Sequence, residues 1–170
     1  MRLFWKCFAY FALIGTIAHF VGLGLSHLHF SACKAPWRSA KWEKDGQFWE
    51  RTLHVRRWMN LLPDMSRILP DMEPKRLEGK ATPDKVAVLI RETCVAELVH
   101  WLLILFGFVC IKIWRGTGGW VISLLYALGN LIFIVIQRYN RPKFVKLHAW
   151  LCAKEAHAAK ACDGEEVSRA

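Results

Sequence analysis

The sequence predicts an all-α membrane protein with about three transmembrane helices and one amphipathic helix at the membrane surface. Of its 170 residues, 54% are hydrophobic, yet the formal net charge is +10. A soluble domain of this size rarely combines these two properties, so we expect apolar runs in lipid separated by basic segments. Nine tryptophans and ten phenylalanines are typical of a membrane protein with aromatic residues at its interfaces.

Three apolar runs have the length that a bilayer core requires, about 20 helical residues. They cover approximately residues 7–25, 95–113 and 119–136. The glycine-rich stretch "RGTGG" (Arg115–Gly119) predicts a tight turn between the second and third runs. These two helices should therefore form an antiparallel hairpin.

The first apolar run has a second interpretation, a cleaved signal peptide. Arg2 and Lys6 precede the run, and "FSAC" (Phe30–Cys33) loosely resembles a lipoprotein cleavage box. Because Phe30 stands where a leucine-like residue is expected and the box lies late in the chain, we favour a retained helix.

The basic residues are distributed unevenly between the apolar runs. Residues 26–94 and 138–170 together carry 20 of the 24 lysines and arginines. The positive-inside rule places both segments in the cytoplasm. The N-terminus and the Arg115 turn would then lie outside.

Part of the cytoplasmic segment has its own periodicity. Residues 47–62 predict an amphipathic helix, because Val55, Met59 and other apolar residues recur at helical spacing while the arginines lie largely off that stripe. Such a basic helix typically lies in the membrane interface. The prolines in residues 63–82 then predict a loop.

Two boundaries of the hairpin are marked by local signals. Thr82 and Pro83 are a good N-cap and first helical residue, so one helix is expected to continue from Pro83 into the second run. At the other end, Asn140 and the proline at 142 predict that the third helix stops.

The predicted helices form one unit. We expect a single integral membrane domain over residues 1–152. The alanine-rich, charged tail of residues 153–170 should be a frayed helix or a flexible segment without chemistry.

Polar side chains inside a hydrocarbon layer are costly, so they are candidates for function. Glu97 and His100 lie at i and i+3 near the cytoplasmic end of the second run. A carboxylate beside an imidazole can orient the ring and stabilise its protonated form, as a general base requires. The alternative is a structural pair in which Glu97 bonds a neighbour such as Arg138.

The third run carries a polar stripe of its own. Ser123, Tyr126 and Asn130 project from one face, and the first and last of these are common packing residues between membrane helices. The cluster at the cytoplasmic end is harder to explain by packing, and the hairpin should bring it to the depth of His100. We therefore expect a substrate pocket formed by Gln137, Arg138, Asn140 and Arg141 with Arg56, Arg57 and Trp58 of the interfacial helix.

Other classes of site have weak support. None of the six cysteines is in CxxC spacing, and His27 and His29 form the one close histidine pair, so we expect no metal. The basic composition comes without a nucleic-acid motif, so we expect no nucleic-acid partner.

Three blocks of the chain resemble the glycosyl-4,4'-diaponeurosporenoate acyltransferase family of staphyloxanthin-type carotenoid biosynthesis. They are "EKDGQFWERTLHVRRWMNLLPD" (Glu43–Asp64), "IRETCVAELVHW" (Ile90–Trp101) and "VIQRYNRPKFVKL" (Val135–Leu147). Order and spacing agree over about residues 42–147. Met59 departs from the family pattern, which often has lysine there.

The resemblance implies an acyltransferase of a bacterial cell membrane. Its expected acceptor is the glucose C6 hydroxyl of a glycosylated carotenoid acid, or a related glycolipid, and its donor is acyl-CoA or acyl carrier protein, with no cofactor. Membrane lipids and other pathway enzymes are the expected partners. The resemblance assigns no catalytic residues. A non-catalytic membrane scaffold for lipid-modifying enzymes is the alternative function.

Overall fold

A computed structural model describes residues 1–28, 30–32, 34–62 and 81–167, with side chains described as far as His157. The predicted loop at 63–82 lies outside these residues except for its last two positions, and so does Cys33 of the possible cleavage box. The described chain contains helices and no strand. This confirms the all-α fold class.

Six helices follow one another along the chain. Their bounds are α1 Arg2–Leu25, α2 Gln47–Leu53, α3 Val55–Trp58, α4 Pro83–Gly107, α5 Cys110–Ile113 and α6 Thr117–Val167, with short 3₁₀ turns at Lys41–Glu43 and Met59–Leu61. Within the described chain, three segments are long and apolar enough to cross a membrane, namely Arg2–Leu25, Pro83–Ile113 and Thr117–His157.

The antiparallel hairpin of α4 and α6 is the centre of the fold. Thr82 caps α4 as predicted, because its hydroxyl accepts a hydrogen bond from the backbone N–H of Lys85 at 3.4 Å. Near the turn, the Ser123 hydroxyl donates to the Gly107 carbonyl at 3.2 Å. A Cβ at Gly107 would lie 2.7 Å from the Tyr126 ring, so glycine allows the two helices to approach closely here.

Helix α1 packs on one side of the hairpin. The Tyr10 hydroxyl donates to the Phe106 carbonyl at 3.0 Å, and the Phe11 ring stacks on Tyr126 with centroids 3.9 Å apart. Much of the outward surface of α1 is apolar and exposed, including Phe8 and Phe20. Such a surface is suited to lipid.

The predicted amphipathic segment is divided in two. His54 adopts a left-handed conformation with φ of 49° and separates α2 from α3. Val55 is fully buried against Ile136 and Tyr139 of α6. The apolar stripe therefore packs on α6, and the break at His54 lets both short helices follow its surface.

The prediction that the third helix ends between Asn140 and the following proline is wrong, since α6 continues through Pro142 to Val167. Pro142 lacks an N–H, so it removes the bond to the Arg138 carbonyl, and its ring crowds the same carbonyl. Contacts of Arg141 with other segments hold it in the helix despite the proline after it. The division into a domain at 1–152 and a tail at 153–170 stays a prediction.

A tight turn before α2 docks directly on α6. Lys44, Asp45 and Gly46 have φ of 46°, 56° and 87° in succession. A Cβ at Gly46 would lie 2.9 Å from the Tyr139 carbonyl oxygen. Glycine is required here by its left-handed φ and by this close approach.

Gly46→Ala should destabilise the protein by about 1–2 kcal/mol or more, because a left-handed φ is strained for alanine and the methyl group meets backbone. The melting temperature in detergent measures the effect. Gly24→Ala is the control, since a Cβ there meets nothing within 4 Å and the site has no left-handed φ. Equal melting temperatures for the two variants would contradict the docking of this turn.

Candidate functional site

Two arginines of α6 form a buried ion network with two glutamates. Arg138 Nε donates to Glu43 Oε1 at 3.0 Å and its Nη1 to Glu97 Oε1 at 3.3 Å. Arg141 Nη2 donates to Glu97 Oε2 at 2.5 Å. The side chains of Glu43, Glu97 and Arg141 are 2–4% exposed, so solvent does little to screen these charges.

Further hydrogen bonds complete the network. Arg141 also donates to the Thr93 hydroxyl at 2.9 Å, to the Thr93 carbonyl at 2.8 Å and to the Trp37 carbonyl at 2.8 Å. Glu43 accepts from the Ala40 N–H at 2.7 Å and from the Trp49 indole N–H at 3.1 Å. The network therefore joins the segment before α2 to both helices of the hairpin.

A cavity of about 300 Å³ lies beside the network, between α1, α4 and α6. Its wall includes polar side chains of the α1 segment, α4 and α6. Those that line it are His19, Ser26, Glu92, Thr93, His100, Gln137 and Asn140. Of the predicted site residues, the structure thus brings His100, Gln137 and Asn140 together.

The orientation of His100 is set by Asn130. Its Nδ1 lies 2.9 Å from Asn130 Oδ1, and the Asn130 amide donates to the Tyr126 carbonyl at 2.9 Å. Because the amide nitrogen of Asn130 is directed at Tyr126, its oxygen faces the ring, so Nδ1 carries the proton. In the neutral ring Nε2 then holds the lone pair. Phe133 stacks on the imidazole at 4.9 Å.

Gln137 is the one cavity residue with a buried, unpartnered donor in the described part of the chain. It is 3% exposed, and its Nε2 has no hydrogen-bond partner there. A buried N–H without an acceptor costs about 1–3 kcal/mol. Among the described residues, Gln137 therefore combines a place in the cavity lining with an amide donor that the protein does not satisfy.

The remaining predicted site residues do not line the cavity. Among the described residues, Glu97, Arg138 and Arg141 belong to the network rather than to the cavity wall. Arg56, Arg57 and Trp58 belong to α3, which packs on a third face of α6, and the two arginines are exposed. The expected convergence of all these groups on one pocket is therefore partial.

A small polar cluster accompanies α3 on the surface. The backbone N–H of Arg56 donates to Glu50 Oε2 at 3.1 Å and lowers the pKa of that carboxyl. The Tyr139 hydroxyl and the charge of Lys143 lower this pKa further. Lys143 Nζ lies 3.0 Å from the centroid of the Tyr139 ring. The cluster fastens α2 and α3 to α6.

Sequence reasoning missed three contributors. Glu43 and Thr93 stand in quoted sequence blocks but carry no periodicity that marks them as buried partners of arginine. Asn130 was recognised on the polar stripe and interpreted as packing, and Glu97 was expected to orient His100. For Glu97 the structure shows the alternative interpretation, because its two oxygens pair with Arg138 and Arg141, and the Nδ1 contact of His100 is with Asn130.

Comparisons with known proteins identify relatives of the chain. Residues 34–149 match the family model of glycosyl-4,4'-diaponeurosporenoate acyltransferase. Relatives of that name from Staphylococcus aureus strains N315 and USA300 are each 28% identical over 142 residues, which is 83% of this chain and 85% of the relative. No solved structure matches the chain.

Glu97→Ala should destabilise the protein by about 3–5 kcal/mol, because it leaves the Arg141 guanidinium buried without its carboxylate. Unfolding in detergent with increasing denaturant measures the loss. Asp45→Asn is the matched control, since its ion pair with Lys146 at 2.9 Å is more than half exposed and should contribute about 0–1 kcal/mol. Similar losses of unfolding free energy in both variants would contradict a larger contribution of the buried network to stability.

Proposed function

Because the chain belongs to the glycosyl-4,4'-diaponeurosporenoate acyltransferase family, we propose that it transfers a fatty acyl group from a thioester to a sugar hydroxyl of a glycosylated carotenoid or related glycolipid. The chain is an acyltransferase. The name of its relatives states the glycosylated carotenoid acceptor for those proteins. One observation supports the proposed site: a histidine whose Nδ1 contacts the Asn130 oxygen and an amide that has no partner among the described residues line the same cavity.

In this proposal His100 is the general base. Its Nε2 removes the proton of the acceptor hydroxyl while the hydroxyl oxygen attacks the acyl carbonyl carbon. When the tetrahedral intermediate collapses, the carbon–sulfur bond breaks, and the imidazolium returns its proton to the leaving thiolate. The products are an ester and a free thiol, so no oxidant or further co-reactant is needed.

The amides on α6 supply electrostatic stabilisation in this scheme. Gln137 and Asn140 are three residues apart on one face of the helix and line the cavity with His100. The unpartnered Nε2 of Gln137 would donate to the carbonyl oxygen as it becomes an oxyanion. Asn140 would bind the same oxygen or the sugar.

The network arginines and the exposed arginines have different roles in this proposal. Arg141 already makes four hydrogen bonds within the protein, so we assign it and Arg138 to positioning α6 rather than to holding donor phosphates. The exposed Arg56 and Arg57 are the better candidates for those phosphates and for anionic lipid, with Trp58 beside them at the membrane surface. The donor, acyl-CoA or acyl carrier protein, would approach from the cytoplasm.

This assignment uses the topology that the charge distribution predicts. Residues 26–94 and the C-terminus would lie on the cytoplasmic side of a bacterial cell membrane. The amino end of α4 and the polar end of the cavity would then face the donor, while the acceptor enters from the lipid.

His100→Gln should lower acyl transfer by about 10²–10⁴-fold, because glutamine cannot take up the proton. The measurement is incorporation of labelled acyl groups into lipid by purified protein in vesicles, normalised to folded protein. His157→Gln, at an exposed position in α6, should keep the activity of the wild type. Near-full transfer by His100→Gln would end its assignment as the base.

Gln137→Leu separates a functional amide from a structural one. Removal of an unpartnered buried amide should leave the melting temperature unchanged or raise it, while loss of an oxyanion donor should reduce transfer by about 10²–10³-fold. Gln47→Leu, at an exposed position, is the control. Full activity, or a marked loss of stability, would contradict the proposed role.

A further inference from the structure

We propose that the apolar half of the cavity holds the acyl chain, and that two small residues of α1, Gly15 and Ala18, set the length of chain that the protein transfers. This inference rests on the proposed function. It assigns a specificity role to α1, a helix outside the family match at residues 34–149.

The residues that line the cavity extend along α4, and the cavity is called the channel from here on. The residues of α4 that line it run from Leu89 to Leu103, which corresponds to roughly 20 Å along the helix axis. A volume of about 300 Å³ spread over that length leaves a narrow cross-section. An extended hydrocarbon chain fits such a space better than a sugar does.

The polarity of the channel changes along its length. Helix α1 runs antiparallel to α4, because Tyr10 bonds Phe106 while Gly22 lies near Val99. At one end, Gly15 and Ala18 face the part of α4 that contains Leu103. The polar groups collect towards the other end, where the lining includes Ser26, Glu92 and Asn140.

His100 and Gln137 lie between these two ends. An acyl thioester placed with its carbonyl at Gln137 would therefore direct its chain towards Gly15. The acceptor hydroxyl would lie at His100, and the sugar and the donor head group would occupy the polar end.

The small residues leave space that larger ones would fill. A Cβ at Gly15 would meet nothing within 4 Å, whereas one at Gly22 would make an ordinary packing contact with Val99 at 3.6 Å. A stripe of small residues commonly serves close helix packing, but Gly15 packs closely against no described residue. The unpartnered amide of Gln137 in the same cavity is an independent sign that a ligand completes it.

The volume also limits what the channel accepts. About 300 Å³ is at the lower end for a small-molecule site, so one chain and the reacting groups fill it. The hydrocarbon part of the acceptor must then remain in the surrounding lipid.

The test is a graded series at one position, Gly15→Ala, Gly15→Val and Gly15→Leu. Each protein is given equal amounts of palmitoyl and decanoyl thioesters, as CoA and as acyl carrier protein conjugates, with membrane glycolipid as acceptor. Mass spectrometry of the products gives the ratio of long to short acyl esters. Gly24→Leu is the matched control, because Gly24 is exposed on α1 with nothing within 4 Å.

We expect the long-to-short ratio to fall stepwise, by about tenfold or more in Gly15→Leu, because a misfit of one methylene in an apolar pocket already changes specificity by about 10–200-fold. Transfer of the decanoyl group should persist, and Gly24→Leu should keep the ratio of the wild type. The small step to alanine keeps the series informative if leucine unfolds the protein.

Different results would overturn the acyl channel and the proposed function. An unchanged ratio across folded Gly15 variants, with transfer intact and still dependent on His100, would overturn the acyl channel and leave the proposed function standing. Absence of any acyl ester from the wild type with every donor would overturn both.

Discussion

The buried network of Glu43, Glu97, Arg138 and Arg141 is the interaction on which the rest of the structure depends. Four charges removed from water cost several kcal/mol each unless every one is paired. Here each carboxylate meets at least one guanidinium, and Arg141 also donates to the Thr93 hydroxyl and to the Trp37 carbonyl. The arrangement is favourable only as a whole, so it locks the segment before α2 against both helices of the hairpin. The three sequence blocks that resemble the family meet at this point.

Three faces of helix α6 contact three different parts of the protein. Arg138 and Arg141 enter the network, while Tyr139 packs with Ile136 against α3. Gln137 and Asn140 point to the cavity side. A helix turns by about 100° per residue, so neighbours in "QRYNR" necessarily face different partners. A cluster that is continuous in sequence is thus divided into a structural part and a part available for chemistry.

Periodicity and charge predicted much of this arrangement, and their failures have identifiable physical causes. The hairpin and the nearness of His100 to Gln137 and Asn140 follow from the length of apolar runs and from antiparallel geometry. The prediction that the helix stops before Pro142 was wrong, because the tertiary contacts of Arg141 outweigh the local propensity of the chain. Asn130 was underestimated because a lone amide in a membrane helix has the same sequence signal whether it packs or orients a histidine.

The sequence by itself determined the helical class, the three apolar helices, the cap at Thr82 and the family, because these depend on local composition and on spacing along one chain. Only the tertiary structure decided which carboxylate each arginine meets, which residue orients His100 and which amide has no partner among the described residues. These choices depend on side-chain directions across separate segments, and a change of one residue in helical phase would exchange the cavity face for the network face. The break at His54 and the left-handed turn at Gly46 belong to the same group, because contacts with α6 select those conformations.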